Sequence, residues 1–404
     1  MKLISGGVCA AKGFKANGVH CGIRKNHAKK DLALIVSDVI ASASAVYTTN
    51  LVKGAPLTVT KAHLENGKAQ AVICNSGNAN TCNADGVQVA EAMCALVADT
   101  VGVSADDVVV ASTGVIGQPL NVAPIAEHMQ VLTDGLTYDG SQRAAEAIMT
   151  TDLAVKEIAI EFELGGKTCR MGGIAKGSGM IHPNMATMLV FITTDVAIAP
   201  YMLKQALSTD VTNTFNMLSV DGDTSTNDMV TVLANGLAGN AEITAEGEDF
   251  AVFMKALNTL TIHLCRAIAA DGEGATKLLE CTVSGGNTLD DAKLCAKSVI
   301  CSSLLKAAMF GADANWGRVL CAIGYSGAKV DVTKIDVSFI SPKGEITVCQ
   351  NGAGVPFSEE KAKEILLEKE IEIRVSLGNG PFTATAWGCD LTYDYVKING
   401  DYRT

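Results

Sequence analysis

Apolar and polar positions along the chain alternate between two periods. Leu32 to Val36 and Gln70 to Cys74 are compact apolar runs of the kind that form buried strands. Between Asp85 and Thr100, Val89, Met93, Leu96 and Val97 recur at helical spacing, and Gly102 supplies a stop. Val108 to Ser112 is again β-branched and apolar and runs directly into Thr113-Gly114. Helices are expected at about 122–132 and 143–149, and a strand at Met188 to Ile192. Pro200 is placed to open a helix reaching to about Met217, and 245–269 and 290–308 read as two further amphipathic helices. Past Lys329 the pattern becomes strict alternation at Val330 to Val332, Ile335 to Val337, Glu345 to Val348 and Glu370 to Val375. Pro342-Lys343-Gly344 forms a turn between two of these runs. The reading is an α/β body followed by a portion richer in antiparallel strands, without internal repeats or low-complexity linkers.

Composition narrows this picture. The chain has 404 residues, 48% of them hydrophobic and 19% charged, enough to bury a large core. Its formal net charge of −11 leaves no basic stripe for nucleic acid. No apolar stretch reaches the roughly 18–20 residues of a membrane span, and Leu3-Ile4 is too short for the core of a signal peptide. The 13 cysteines form no Cys-x-x-Cys pair. They read as reduced thiols in a cytoplasmic protein, with no metal site and no cofactor expected.

The most unusual stretch is Lys176 to Leu189, KGSGMIHPNMATML. Glycine, proline and asparagine make an irregular approach to a buried strand, and Thr187 stands at the junction behind the small Ala186. On spacing alone Thr187 is either a structural residue at a strand start or a nucleophile released by self-cleavage. In the second case its hydroxyl attacks the carbonyl of Ala186, and the freed α-amine then serves as base for that hydroxyl. There is no G-x-S-x-G motif to supply another nucleophile. His182 is a candidate acid or base, or a structural hydrogen-bonding residue beside the Pro turn. Asp221, Asp223 and Asp228 in DGDTSTND lack the glycine placement of a calcium loop and read as turn and capping residues. GADANWGR is either a ligand loop or a packing element around Trp316, with Asp313 and Asn315 placed to cap the next helix.

The segment resembles the processing segment of the ornithine acetyltransferases (glutamate N-acetyltransferases, the ArgJ family) of arginine biosynthesis. TTNLVKGAPL, CNSGNAN, STGVIG, IMTTD, SVDGDTSTND, DGEGATK, GADANWGR and DYVKINGDYRT are similar to other blocks of that family, in the same order and over nearly the whole chain. The resemblance implies a layered αββα sandwich of the type shared with self-processing, N-terminal-nucleophile-like aminopeptidases, with a C-terminal α+β portion from about residue 280. It implies cleavage between Ala186 and Thr187 into an α chain of residues 1–186 and a β chain of 187–404, assembling as a heterotetramer. Thr187 would carry the acetyl group, and Thr113 and Gly114 would form the oxyanion hole. Thr150 or its neighbour Thr151, Lys176, Thr187, Glu273, Asn399 and Thr404 would contact substrate. The implied reaction is ping-pong transfer of acetyl from N-acetylornithine to glutamate, with acetyl-CoA as a further donor in some members. A self-processing aminopeptidase with water as acceptor and a non-enzymatic amino-acid binding protein are the competing readings.

Overall fold

The computed structural model describes residues 1–182 and 188–400. Among these, the strands form two mixed sheets. The first is nine-stranded, in the order Lys2–Ile4, Lys156–Leu164, Lys167–Lys176, Leu189–Thr194, Met229–Ala234, Leu32–Tyr47, Lys68–Asn78, Val108–Val115, with Phe14–Val19 also paired to Leu32–Tyr47. The long strand Leu32–Tyr47 joins two groups of strands. Its first part pairs antiparallel with Phe14–Val19 and with residues 71–75, and its register slips between Val36 and Ala41. Beyond that bulge, Ser42 to Tyr47 pairs with Met229–Ala234. The parallel pair 71–78 with 108–115 is bridged by helix Gly86–Val101, as a parallel connection requires. Helix Pro200–Val211 lies in the crossover between the parallel strands Leu189–Thr194 and Met229–Ala234.

Apolar side chains from both flanks of this sheet share one core. Cys74, Val109 and Ala111 cluster with Ile174, Leu189 and Phe191 and with Ala144, Ala145, Ala147 and Ile148 of helix Ser141–Ile148. On the opposite face, Phe253, Leu257, Leu260, Leu264 and Ile268 recur at three- and four-residue steps on helix Glu248–Ala270 and join the largest core cluster. The second sheet has the order Ala353–Gly354, Gly344–Gln350, Asp336–Ser341, Glu370–Ser376, Leu278–Gly286, Phe382–Cys389, Leu218–Ser219. Its alternation is that of a sheet covered on one face: Ile371, Ile373 and Val375 are buried, while Arg374 forms ion pairs with Glu345 and Glu372 on the other face. The result is an α/β sandwich, as expected. No helix among the described residues is long and apolar enough to cross a membrane.

Three expectations are corrected. The helix opened by Pro200 stops at Val211, where the Thr214 hydroxyl bonds back to the Asp210 carbonyl at 2.9 Å, and a 3₁₀ turn at Phe215–Met217 follows. The helix expected over 290–308 is two, Leu289–Cys301 and Ser303–Phe310. Ser302 between them is non-helical, and its hydroxyl caps the second by accepting from Leu305 N at 3.2 Å. Val330 to Val332 is not a strand; residues 332–334 form a 3₁₀ turn capped by Asp331. Asn315 caps helix Trp316–Gly324 as expected.

Candidate active site

Strand Val108–Val115 carries Thr113 and Gly114 to its exit. Gly114 has φ 134°, and a Cβ there would lie 2.3 Å from the carbonyl carbon of Gly77 on the neighbouring strand. Only glycine permits this approach. The backbone ahead of the pair is fixed from the side: Asn227 Nδ2 donates to Ser112 O at 3.0 Å and to Ala79 O at 2.5 Å, while its Oδ1 accepts from Thr81 and Thr226 hydroxyls at 2.6 Å each. The loop holding Asn227 is tied to TTNLVKGAPL, through Thr48 Oγ1 to Ser225 O and Gly54 N to Thr226 O.

Lys176 ends its strand opposite Leu189, two residues beyond Thr187, and is 8% exposed. Glu273, also 8% exposed, donates its N–H to Ser178 O at 2.9 Å, and its carboxylate accepts from Asn399 Nδ2 at 2.7 Å. Gly179 packs on that carboxylate so closely that a Cβ would lie 2.3 Å from Oε2.

Asp152 organises this half of the site. Its Oδ2 accepts from Thr150 N at 2.9 Å, and its Oδ1 accepts from Gly177 N at 2.8 Å and from Lys156 Nζ at 2.6 Å. Lys156 Nζ also donates to Asp271, whose carboxylate receives the N–H groups of Leu153 and Ala154. Burial by itself would raise the Asp152 carboxyl, but the Lys156 and Lys176 ammonium groups and these donors hold it well below the usual carboxylate range. Asp228 has the opposite fate. It is buried with Oδ2 unpartnered, and desolvation pushes it well above the usual range against the pull of Lys176.

Thr113, Gly114, Thr150, Thr151, Lys176, Glu273 and Asn399 line one cavity of about 110 Å³, together with Ala79, Ile116, Gly179, Met180, Ser225, Thr226 and Asn227. Both Thr150 and Thr151 face it, so the choice between them stays open. Ala186, Thr187 and Thr404 lie outside the described residues. His182 is not among the lining residues. Its Nδ1 is 3.1 Å from Ser219 Oγ and 3.6 Å from Cys301 Sγ, and burial, helped by Lys297, lowers its pKa to about 4. Asp152, Lys156 and Asn227 were not singled out above, although Asp152 and Asn227 fall in the blocks IMTTD and SVDGDTSTND. Asp228, read as a turn residue, is a buried acid. Among the described residues no group of three His, Cys, Asp or Glu could hold a metal ion.

The model of the ArgJ family matches residues 15–404. This chain belongs to the ArgJ family. It is 50% identical over 405 residues to the arginine biosynthesis bifunctional protein ArgJ of Caldanaerobacter subterraneus, and 50% identical over 406 residues to that of Symbiobacterium thermophilum, covering 100% of both chains in each case. The crystal structure of arginine biosynthesis bifunctional protein ArgJ from Bacillus halodurans is similar with a TM-score of 0.50 and 49% identity. That match takes in 52% of this chain and 98% of the other. The segment from Lys176 and the blocks CNSGNAN, STGVIG, IMTTD, SVDGDTSTND, DGEGATK and DYVKINGDYRT each contribute lining residues to the cavity, whereas TTNLVKGAPL and GADANWGR do not.

Proposed function

We propose that this chain is a self-processing acetyltransferase of arginine biosynthesis that moves acetyl from N-acetylornithine to glutamate. The observation that carries the reading is the convergence of seven residues, drawn from positions 113 to 399, on one cavity beside the segment that contains Thr187. In processing, Thr187 Oγ attacks the Ala186 carbonyl carbon, the C–N bond breaks, and the nitrogen takes the hydroxyl proton. Water then hydrolyses the ester, leaving an Ala186 carboxylate, a free hydroxyl and a free α-amine. In turnover the same hydroxyl takes acetyl from acetylornithine and yields it to the glutamate amine, with the α-amine of Thr187 accepting and returning the proton.

Thr113 and Gly114 are the oxyanion donors in this scheme. Removing one such donor costs about 10²–10³ in rate. Glu273 takes the ornithine side-chain ammonium, and Lys176 with Thr150 or Thr151 takes carboxylate. Asn399 and Thr404 complete the substrate contacts. That a solved relative of high identity corresponds to about half of this chain supports division of the precursor near its middle. The name "bifunctional" carried by the full-length relatives supports acetyl-CoA as a second donor. No cofactor or metal enters the scheme, and the enzyme is proposed to work in the cytoplasm as a heterotetramer of two α and two β chains.

Intact mass spectrometry of the purified protein is expected to give two fragments that separate before Thr187, and Thr187→Ala a single chain of 41.9 kDa. Incubation with acetylornithine should release ornithine in a glutamate-dependent manner. Release that ignores glutamate identifies a hydrolase instead, and an uncut wild-type chain rejects the nucleophile assignment.

A further inference from the structure

The residues that lead to the cleavage segment are held by a clamp that the reaction scheme above does not use. Asp221 stands at its centre. Oδ2 accepts from Met180 N at 2.6 Å and Oδ1 from Ile181 N at 2.8 Å, so one carboxylate engages two successive peptide N–H groups. The grip continues on both sides. Val220 N donates to Ile181 O at 2.7 Å, Thr224 Oγ1 donates to His182 O at 2.8 Å, and Glu273 N holds Ser178 O. Met180 is bent into a left-handed conformation, φ 55°, which a residue with a side chain rarely adopts without outside support. The clamp supplies that support. The chain is thereby held as far as His182.

We propose that Asp221 is a positioning residue for self-cleavage, fixing through Met180 and Ile181 the path by which the chain presents the Ala186–Thr187 bond. The inference rests on the self-processing reading above. Only a carboxylate accepts from both N–H groups at once. An asparagine keeps the shape but turns an NH₂ group toward one of them. Two further groups meet the same carboxylate: Asp223 N donates to Oδ1 at 3.2 Å, and the Tyr395 phenol lies against it. Among the described residues, neither hydrogen-bonds to Met180, Ile181 or His182, so they serve as internal controls.

The test is the rate at which freshly synthesised full-length chain divides, followed by pulse-chase in cell-free translation. Asp221→Asn is expected to slow division by about 10- to 100-fold, the value of one charge-assisted hydrogen bond read as a rate. Thr224→Val, which releases only His182 O, should slow it several-fold, while Tyr395→Phe should divide within about twofold of wild type. The thermal midpoint of Asp221→Asn in the uncut Thr187→Ala background should stay near that of Thr187→Ala alone. Division of Asp221→Asn at the wild-type rate overturns the proposal, as does a slowing matched by a collapse of the midpoint. If Asp221→Asn cannot be obtained folded, wild-type division of Thr224→Val overturns it. A wild-type chain that never divides rejects the self-processing reading itself, a different and recognisable outcome.

Discussion

Asp152 and Asp228 are two buried aspartates within the field of the same lysine, and their pKa values are pushed in opposite directions. Asp152 has Lys156 at 2.6 Å and two backbone donors, and it stays charged. Asp228 shares Lys176 as a neighbour, but one of its oxygens meets nothing, and desolvation prevails. Proximity to a cation does not by itself keep a buried carboxyl ionised. Asp152 adds a second ammonium in direct contact, Lys156, and then donors on both its oxygens, and these together outweigh desolvation. Asp152 therefore acts as a fixed anion that sets Thr150 and Gly177 in place, whereas Asp228, with one unpartnered oxygen, is shifted toward its protonated form.

This contrast can be broken or sharpened by substitution. Asp152→Asn leaves the buried Lys156 ammonium with Asp271 as its one remaining carboxylate and should lower stability by about 1.5–3 kcal/mol in denaturant unfolding. A loss under 1 kcal/mol would mean the pair is not buried as described. Asp228→Asn should behave differently, and its effect should depend on pH. Because the folded pKa of Asp228 is raised, folding retains a proton that the unfolded chain releases above its ordinary pKa of 3.8. Wild-type stability from this group is full below that pH and falls as pH rises, by up to about 1.4 kcal/mol per unit. The stability of Asp228→Asn relative to wild type should therefore increase from pH 4 to pH 8, and a flat difference would show the group ionised in the fold.

Since both carboxyls feel Lys176, the double variant should depart from additivity by about 0.5–1 kcal/mol, measured as a double-mutant cycle. An effect confined to acid pH belongs to His182, whose pKa lies near 4 in the fold against an ordinary 6.5. Its contribution is complete above pH 6.5 and is lost as pH falls toward 4, so His182→Asn should flatten the acid limb of the melting-temperature curve in that window. An unchanged limb would place the acid sensitivity elsewhere.

Much of the first sheet was legible because its strands are long apolar runs, such as Leu32 to Val36 and Val108 to Ser112. The hairpin Lys156–Leu164 and Lys167–Lys176 was not anticipated, although KEIAIEFEL alternates and Gly165-Gly166 makes the turn at φ 55° and 72°. The split at Ser302 was hidden because apolar spacing continues across it, and a single hydroxyl cap decides the break. Local pattern ended the strand at Ser112 with a turn at Thr113-Gly114, whereas the strand runs on through both to Val115, and it could not bring residues 113, 150, 176, 273 and 399 together. That convergence came from family resemblance, because chain topology sets it and no short-range spacing encodes it. Asp228 was misread because DGDTSTND is rich in turn-forming residues, and burial of one of its members leaves no local mark.

The strands on either side of the segment proposed to be cleaved are direct neighbours, with Met171 to Lys176 paired antiparallel to Leu189 to Thr194 in the middle of the nine-stranded sheet. A break in the intervening loop leaves that seam zipped. Parting the two fragments would expose a raw backbone edge on each and open the hydrophobic interior along its length. The nicked molecule should thus travel as a single particle at any dilution and come apart only when it denatures.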